Sequence, residues 1–209
     1  SATQAMTKIT TPVNPRALQL LLKGYKARKT HYLVNGFTFG FRIGFVGVAR
    51  SMHSPNHKSA YTNSAATSEL LCKELAADRL LGPFQKIPFS TAFISPLSVI
   101  PKKSANSFRL IHDLSFPKNQ SVNSGIPPHS RTVHYESFDS AIKYIVTQGP
   151  QVLLMKCDIL NAFRIVPVHP DDRPLLGLSW DNKFYFDKCL TLGCGSSCRI
   201  FEEFSTAIK

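Results

Sequence analysis

The apolar residues of this chain come in short runs with two different periods, and no internal repeat relates one run to another. Phe37, Phe39, Phe41, Ile43 and Phe45 alternate with Gly36, Gly40, Gly44 and Gly47 around them, which predicts a strand or hairpin with one buried face. Those glycines are not a phosphate loop, because no Gly-Lys-Ser/Thr follows them. Residues 51–65, rich in Ser, Asn and His, read as a loop. Leu70, Leu71, Leu75 and Leu80 predict a helix that begins near Thr67 and stops at Gly82-Pro83. Residues 92–101 read as a short strand, Lys102-Lys103-Ser-Ala-Asn as a turn and residues 108–111 as the return, so the hairpin has a cationic tip. Residues 117–130 are loop-like. Ser137 is a good N-cap for a helix with Phe138, Ala141, Ile142, Ile145 and Val146 on one face and Gly149 as its stop. Residues 152–159 (VLLMKCDI) predict a buried strand that delivers Asp158 to the rim of a sheet. A hairpin about Asp181-Asn182 over residues 178–186 and a helix over 199–208 complete the pattern. This irregular alternation makes the fold class α+β.

Composition narrows the function. Of 209 residues, 43% are hydrophobic and 18% charged, as in an ordinary globular protein. Residues 36–49 are interrupted by Thr38 and Arg42, so no run can span a bilayer and no membrane partner is expected. The five cysteines are odd in number and form no Cys-x-x-Cys pair. That argues against a disulfide framework or a zinc site and for a reducing, intracellular setting. The net charge is +12, yet the first 68 residues hold nine basic side chains and no carboxylate before Glu69. Such a segment suits a polyanion, most simply nucleic acid, with Lys23, Lys26, Arg28 and Lys29 around Tyr25 as the candidate contacts. A basic tail without a specific partner is the competing reading. The chain opens on Ser1 without a signal-peptide core and stops at Lys209 after a helix-like stretch, as a piece of a longer protein would.

Local sequence leaves several polar residues with two readings. Asp158 is either a strand-end carboxylate in water or a ligand for a cation. Phe163 reads locally as a core aromatic, Gly193 as a loop glycine, and Lys102, Lys103 and Arg109 as solvated charges on a hairpin tip.

Three phrases in order shift that balance. The string Asp158-Ile-Leu-Asn-Ala162-Phe163-Arg-Ile-Val-Pro167 resembles the first catalytic motif of reverse transcriptases, an aspartate followed four residues later by Ala and five later by an aromatic. IPKKSANSFRLIHDLSFPKNQSVN, residues 100–123, resembles the fingers hairpin of that family. LTLGCGSSCRIFEEF, residues 190–204, resembles its second palm motif, with DDRPLLGLSWDNKFYF before it. The HDLS and AFR-IPVHP phrases look most like tyrosine-recombinase (DIRS-type) retrotransposons, over roughly residues 69–205.

The resemblance implies right-hand polymerase fingers plus the first half of a palm, truncated before the third palm motif. Residues 1–68 would then be a basic N-terminal extension. Residues 69–209 would be a partial reverse transcriptase domain, with fingers at about 69–130 and 168–190 and palm at about 131–167 and 191–209. The implied reaction is template-directed transfer of dNTPs to a primer 3′-hydroxyl on an RNA or DNA template-primer, by two-metal phosphoryl transfer with Mg²⁺ or Mn²⁺. Asp158 and the Ile159 carbonyl would be metal ligands, and Phe163 would lie beneath the incoming sugar. Lys102 or Lys103 and Arg109 would grip the β- and γ-phosphates, Gly193 would let template and nucleotide approach, and Asp113 would brace the fingers. Thr191, Leu192 and Cys198 depart from the family's Pro, aromatic or Gln, and Pro. The third motif's paired aspartates are not in this sequence, and Asp171-Asp172 lie in the wrong place to replace them. The alternative reading is a non-catalytic nucleic-acid-binding remnant of a retroelement. Without the missing hairpin, an apolar face of the palm is expected to stay uncovered.

Overall fold

The computed structural model describes residues 2–103, 107–133, 135–155 and 158–208. Among these described residues, seven α-helices and a mixed sheet form an α+β fold. The helices are α1 Ala2–Thr7, α2 Pro15–Leu21, α3 Ala27–Phe39, α4 Lys58–Thr62, α5 Ser64–Ala76, α6 Phe138–Gln148 and α7 Ser197–Ala207. The strands are β1 Met52–His53, β2 Leu80–Phe84, β3 Phe93–Ile94, β4 Leu97–Pro101, β5 Phe108–His112, β6 Gly177–Trp180 and β7 Lys183–Asp187. The main sheet has the order β1-β3-β6-β7-β2, parallel from β1 to β6 and antiparallel beyond. β4 and β5 form a separate two-stranded hairpin, with Val99 opposite Leu110.

Local chemistry explains most of these boundaries. The Asn14 side chain accepts hydrogen bonds from the Arg16 and Ala17 amides and Pro15 opens α2, an arrangement suited to a helix start. Ser137 caps α6 by accepting from the Ser140 amide at 3.0 Å, and Gly149 (φ 87°) stops it. Asp181 and Asn182 both have positive φ, the left-handed pair that joins β6 to β7 in a two-residue hairpin.

Four expectations are corrected. The aromatic run at 37–45 is not a hairpin, because α3 continues through Phe39 and only Phe41 makes a bridge, to Val168. Leu33, Phe37 and then Phe41 are buried at helical spacing, while Phe39 faces out. Gly40 permits the turn between helix and bridge: its φ is 91°, and a Cβ there would run into the backbone of Val168 and His169. Residues 51–65 are not all loop, since they hold β1, α4 and the start of α5. The helix expected to end at Gly82-Pro83 ends at Ala76, and Leu80 opens β2 instead, paired with Asp187 of β7. The described part of 152–159 forms no strand. No neighbouring strand pairs with it, and Leu153, Leu154 and Met155 are exposed. The apolar face of α6 is uncovered too, with Phe138 80% and Val146 73% exposed.

The central core draws on both ends of the chain. Leu18, Leu22, Leu33, Phe37, Phe41 and Ile43 pack with Leu114, Val122, Val166, Val168, Leu190, Ile200 and Phe204. The acid-free segment is also tied down electrostatically. Lys8 reaches Asp78 at 2.8 Å, Lys29 pairs with Glu203, and buried Asp172 accepts from Arg42 Nε at 3.0 Å and from the Ile43 amide at 2.7 Å. Fully buried Arg173 donates to the Met6 and Lys8 carbonyls, and burial lowers its pKa to about 10.

A second buried charge network joins the elements that carry the sequence motifs. Asp187, at the end of β7, meets His112 Nδ1 at 3.0 Å and Arg164 at 2.7 Å. The other ring nitrogen of His112 lies 3.0 Å from the Gly177 carbonyl. Arg164 also donates to Glu74 of α5, at 2.9 and 2.7 Å, and to the Leu190 carbonyl at 3.1 Å. Arg79 completes the set with a fork onto both Glu74 oxygens. Burial pushes the Asp187 carboxyl upward, but Arg164 and the His112 hydrogen bond outweigh it and hold it below the ordinary carboxylate range. The same carboxylates outweigh burial at Arg164 and raise its pKa. Beside this network, Asp78 is likewise held low, because the bonds from Lys188, Lys8 and Thr10 outweigh its burial.

Two outcomes follow for stability. Phe37 and Phe204 meet edge to face at 4.8 Å. Phe37→Ala should therefore cost about 3–5 kcal/mol in urea unfolding, and Phe204→Ala should be non-additive with it. Additive effects would mean that the basic segment is not packed on α7. Asp187→Asn leaves Arg164 and His112 short of a charge, which should cost about 3 kcal/mol. Because Asp187 and Asp78 are held low, their contribution is full above the unfolded carboxylate pKa near 4 and fades as pH falls through the lower folded values. Stability of the unmodified chain should thus drop below about pH 4 more steeply than that of Asp187→Asn, as read by urea midpoints against pH.

Candidate functional site

Three motif-bearing segments meet around Asp187. β5 ends at His112, which touches Asp187 directly. The 3-10 helix Ala162–Ile165 presents Phe163 and Arg164, and it starts after Asn161 in a left-handed conformation (φ 54°). The loop from Leu190 to Gly193 leaves β7 and is held by Arg164 at the Leu190 carbonyl. Arg164 was not among the residues singled out from the sequence, and neither were His112, Asp187 and Glu74. The one available signal was the charged pair Asp187-Lys188 inside the apolar string FYFDKCL; both residues are buried.

Asp158 lies in an irregular, exposed stretch and makes no hydrogen bond or ion pair among the described residues. Lys156 and Cys157, which precede it in the sequence, lie outside the described residues. Ile159 is half-buried. The Phe163 ring sits perpendicular to Phe201 of α7 at 5.7 Å and packs on the central core, so one face of it is already engaged. An exposed carboxylate with a neighbouring carbonyl is a hard-oxygen pair that matches Mg²⁺, an ion that takes its remaining ligands from phosphate and water. Among the described residues no group of three or more His, Cys, Asp or Glu side chains could hold a metal, so a two-metal centre is not assembled by them.

The expected phosphate contacts are on the β4–β5 hairpin. Lys102 and Lys103 are exposed at its turn, where the Lys102 amide donates to the Ser107 carbonyl at 2.7 Å. Arg109 is exposed on β5 opposite Ile100. Asp113, just past β5, lies 2.8 Å from His57 and accepts from the Ser115 amide at 3.0 Å, which fixes the base of the hairpin. Gly193 is partly exposed and packs against that base: a Cβ there would overlap the His112 carbonyl oxygen. Asn123 holds the same loop from the other side, donating to the Gly193 carbonyl and accepting from the Gly195 amide, both at 2.8 Å. Hairpin, Gly193 loop and the Phe163–Arg164 turn are therefore one assembly. The basic cluster is separate from it: Lys23 and Lys26 lie between α2 and α3, and Arg28 and Lys29 in the first turn of α3, with Lys29 paired to Glu203. Nearby, burial with help from Glu203 lifts the Tyr32 hydroxyl to about 12. Burial lifts the Cys189 thiol to about 11, so it is no nucleophile.

Among the described residues no helix is long and apolar enough to cross a membrane. No protein-family model matches the chain, and no curated protein matches it in sequence. Solved structures do match it. The protease–reverse transcriptase of prototype foamy virus, as a selenomethionine-labelled mutant, aligns with a TM-score of 0.56 at 16% identity, covering 95% of this chain and 27% of that one. A foamy viral protease–reverse transcriptase in complex with double-stranded DNA aligns at 0.53 and 14% identity, over 95% of this chain and 42% of that one. The same enzyme in complex with an RNA/DNA hybrid aligns at 0.53 and 13%, over 95% and 27%. This chain spans well under half the length of those proteins, and at such identity the likeness is one of fold. The α+β fold of this chain is reverse transcriptase-like.

Proposed function

We propose that this chain is the fingers and first palm portion of a retroelement RNA-directed DNA polymerase of DIRS-like type. One observation carries the reading: the three phrases that resemble reverse transcriptase motifs, some 30 to 80 residues apart in sequence, pack into one assembly around Asp187. The fold likeness to enzymes solved with DNA and with RNA/DNA hybrid supports the same partners here. In this reading the template-primer lies over the Gly193 loop and the Phe163 turn. Lys102, Lys103 and Arg109 bind the triphosphate of the incoming dNTP, Arg109 by its planar fork and the lysines as point charges. Phe163 supports the sugar. Asp158 and the Ile159 carbonyl hold Mg²⁺, or Mn²⁺ in its place, which when bound offsets charge on the phosphate oxygens. Arg164 fixes the Phe163 turn, and His112 fixes the hairpin, against a common carboxylate.

A second reading has its own observation. Asp158 is exposed and belongs to no group of three or more His, Cys, Asp or Glu side chains that could hold a metal among the described residues, as suits a remnant that binds nucleic acid without chemistry. The two separate in the complete polypeptide that carries this segment. Asp158→Asn should cut Mg²⁺-dependent dNTP incorporation by about a thousandfold or more, while template-primer affinity stays within about twofold. Incorporation that is absent from the unmodified polypeptide, with salt-sensitive binding retained, favours the remnant. Full incorporation by Asp158→Asn overturns the catalytic assignment.

A further inference from the structure

Two cavities of about 610 and 470 Å³ lie end to end between α2 and α3. Gln19 and Val34 line both, so the two make one continuous seam. Arg16, Gln19 and Lys23 line one side at helical spacing, and His31, Asn35 and Thr38 line the other. Among the described residues no acidic side chain lines either cavity. The seam has kept its positive charge for a physical reason. Lys8, Lys29 and Arg42 of the same segment are paired with acids of the body, whereas Arg16, Lys23, Lys26 and Arg28 have no ion pair among the described residues. Tyr25, half-buried, lines the second cavity. The Thr30 hydroxyl in its wall has no hydrogen-bond partner among the described residues.

We propose that this seam binds one single strand of RNA or DNA, by its phosphates at Arg16 and Lys23 and by a base stacked on Tyr25. A positively charged groove with an aromatic platform is how single strands are held without sequence preference. Between Ala27 and Thr38 the seam runs about 16 Å at 1.5 Å per residue. The anionic character of the occupant rests on the seam itself, and its identity as nucleic acid rests on the polymerase reading above.

The test is anisotropy of a labelled ten-nucleotide oligo-U with the whole 209-residue chain across a salt series. Arg16→Ala with Lys23→Ala should weaken binding about fivefold or more and flatten the log–log salt slope by about 1.4, two phosphate contacts at 0.7 each. Gln19→Glu, which puts a carboxylate into the stretch shared by the two cavities, should weaken it as well. Lys118→Ala with Lys143→Ala, exposed cations away from the seam, should leave it within twofold. All of these side chains are exposed, so far-UV circular dichroism should be unchanged. Binding by both seam variants equal to that of the unmodified chain overturns the proposal. So does displacement of the oligonucleotide by polyglutamate at an equal midpoint, which points to an acidic protein. If the seam variants bind normally while Asp158→Asn abolishes incorporation, only the seam inference falls. If the seam binds as expected and the complete polypeptide incorporates nothing, the polymerase reading falls and the seam stands.

Discussion

The fold depends on one buried carboxylate. Asp187 stands at the end of β7 where β5, the turn carrying Arg164 and the loop toward Gly193 all arrive, and each needs it for a different reason. Arg164 could not be buried there without two carboxylates, and Glu74 alone already serves Arg79. His112 has an acceptor at both ring nitrogens, which fixes the ring's orientation and with it the base of the hairpin. Apolar packing would have brought these segments near one another. Directional bonds to one carboxylate set their angles, which is the precision a site on separate segments demands.

The acid-free first third is the other half of the electrostatic design. A segment with nine cations and no anion cannot satisfy itself, so its docking has to be written elsewhere in the chain. Asp78, Glu203 and Asp172 come from the link between α5 and β2, from α7 and from the stretch before β6, and each takes one cation of the segment. The cations left over are concentrated on α2, on α3 and in the turn between them. Specific pairing and residual surface charge are thus two outcomes of a single imbalance.

What the sequence revealed was local. The hairpin at 178–186, the strand pair flanking Lys102-Lys103 and the helix from Ser137 to Gly149 all have their determinants within a few residues: two left-handed positions, a polar turn, a cap and a glycine. The run at 37–45 misled because its period of two is also a pattern of two helical positions and one bridge. What decides between them is the close backbone approach of Val168 and His169 to Gly40, about 130 residues away in sequence. The stretch at 152–159 has strand composition but no partner strand among the described residues, and composition alone does not make a ladder. The Asp187 network was invisible for the same reason, since its ion pairs between elements join residues 23 to 90 positions apart and no spacing rule links them. Asp158, Phe163 and the hairpin cations were legible as candidates through motif order; their mutual geometry was not.

Gly193 has a consequence beyond its loop. Its missing side chain leaves room for the protein's own backbone, the His112 carbonyl, whatever else passes over the opposite face. Any copy of this sequence that folds must keep a glycine there, whether or not it retains chemistry. The residue therefore reports an intact architecture rather than a working site, and a copy without any chemistry could carry it unchanged.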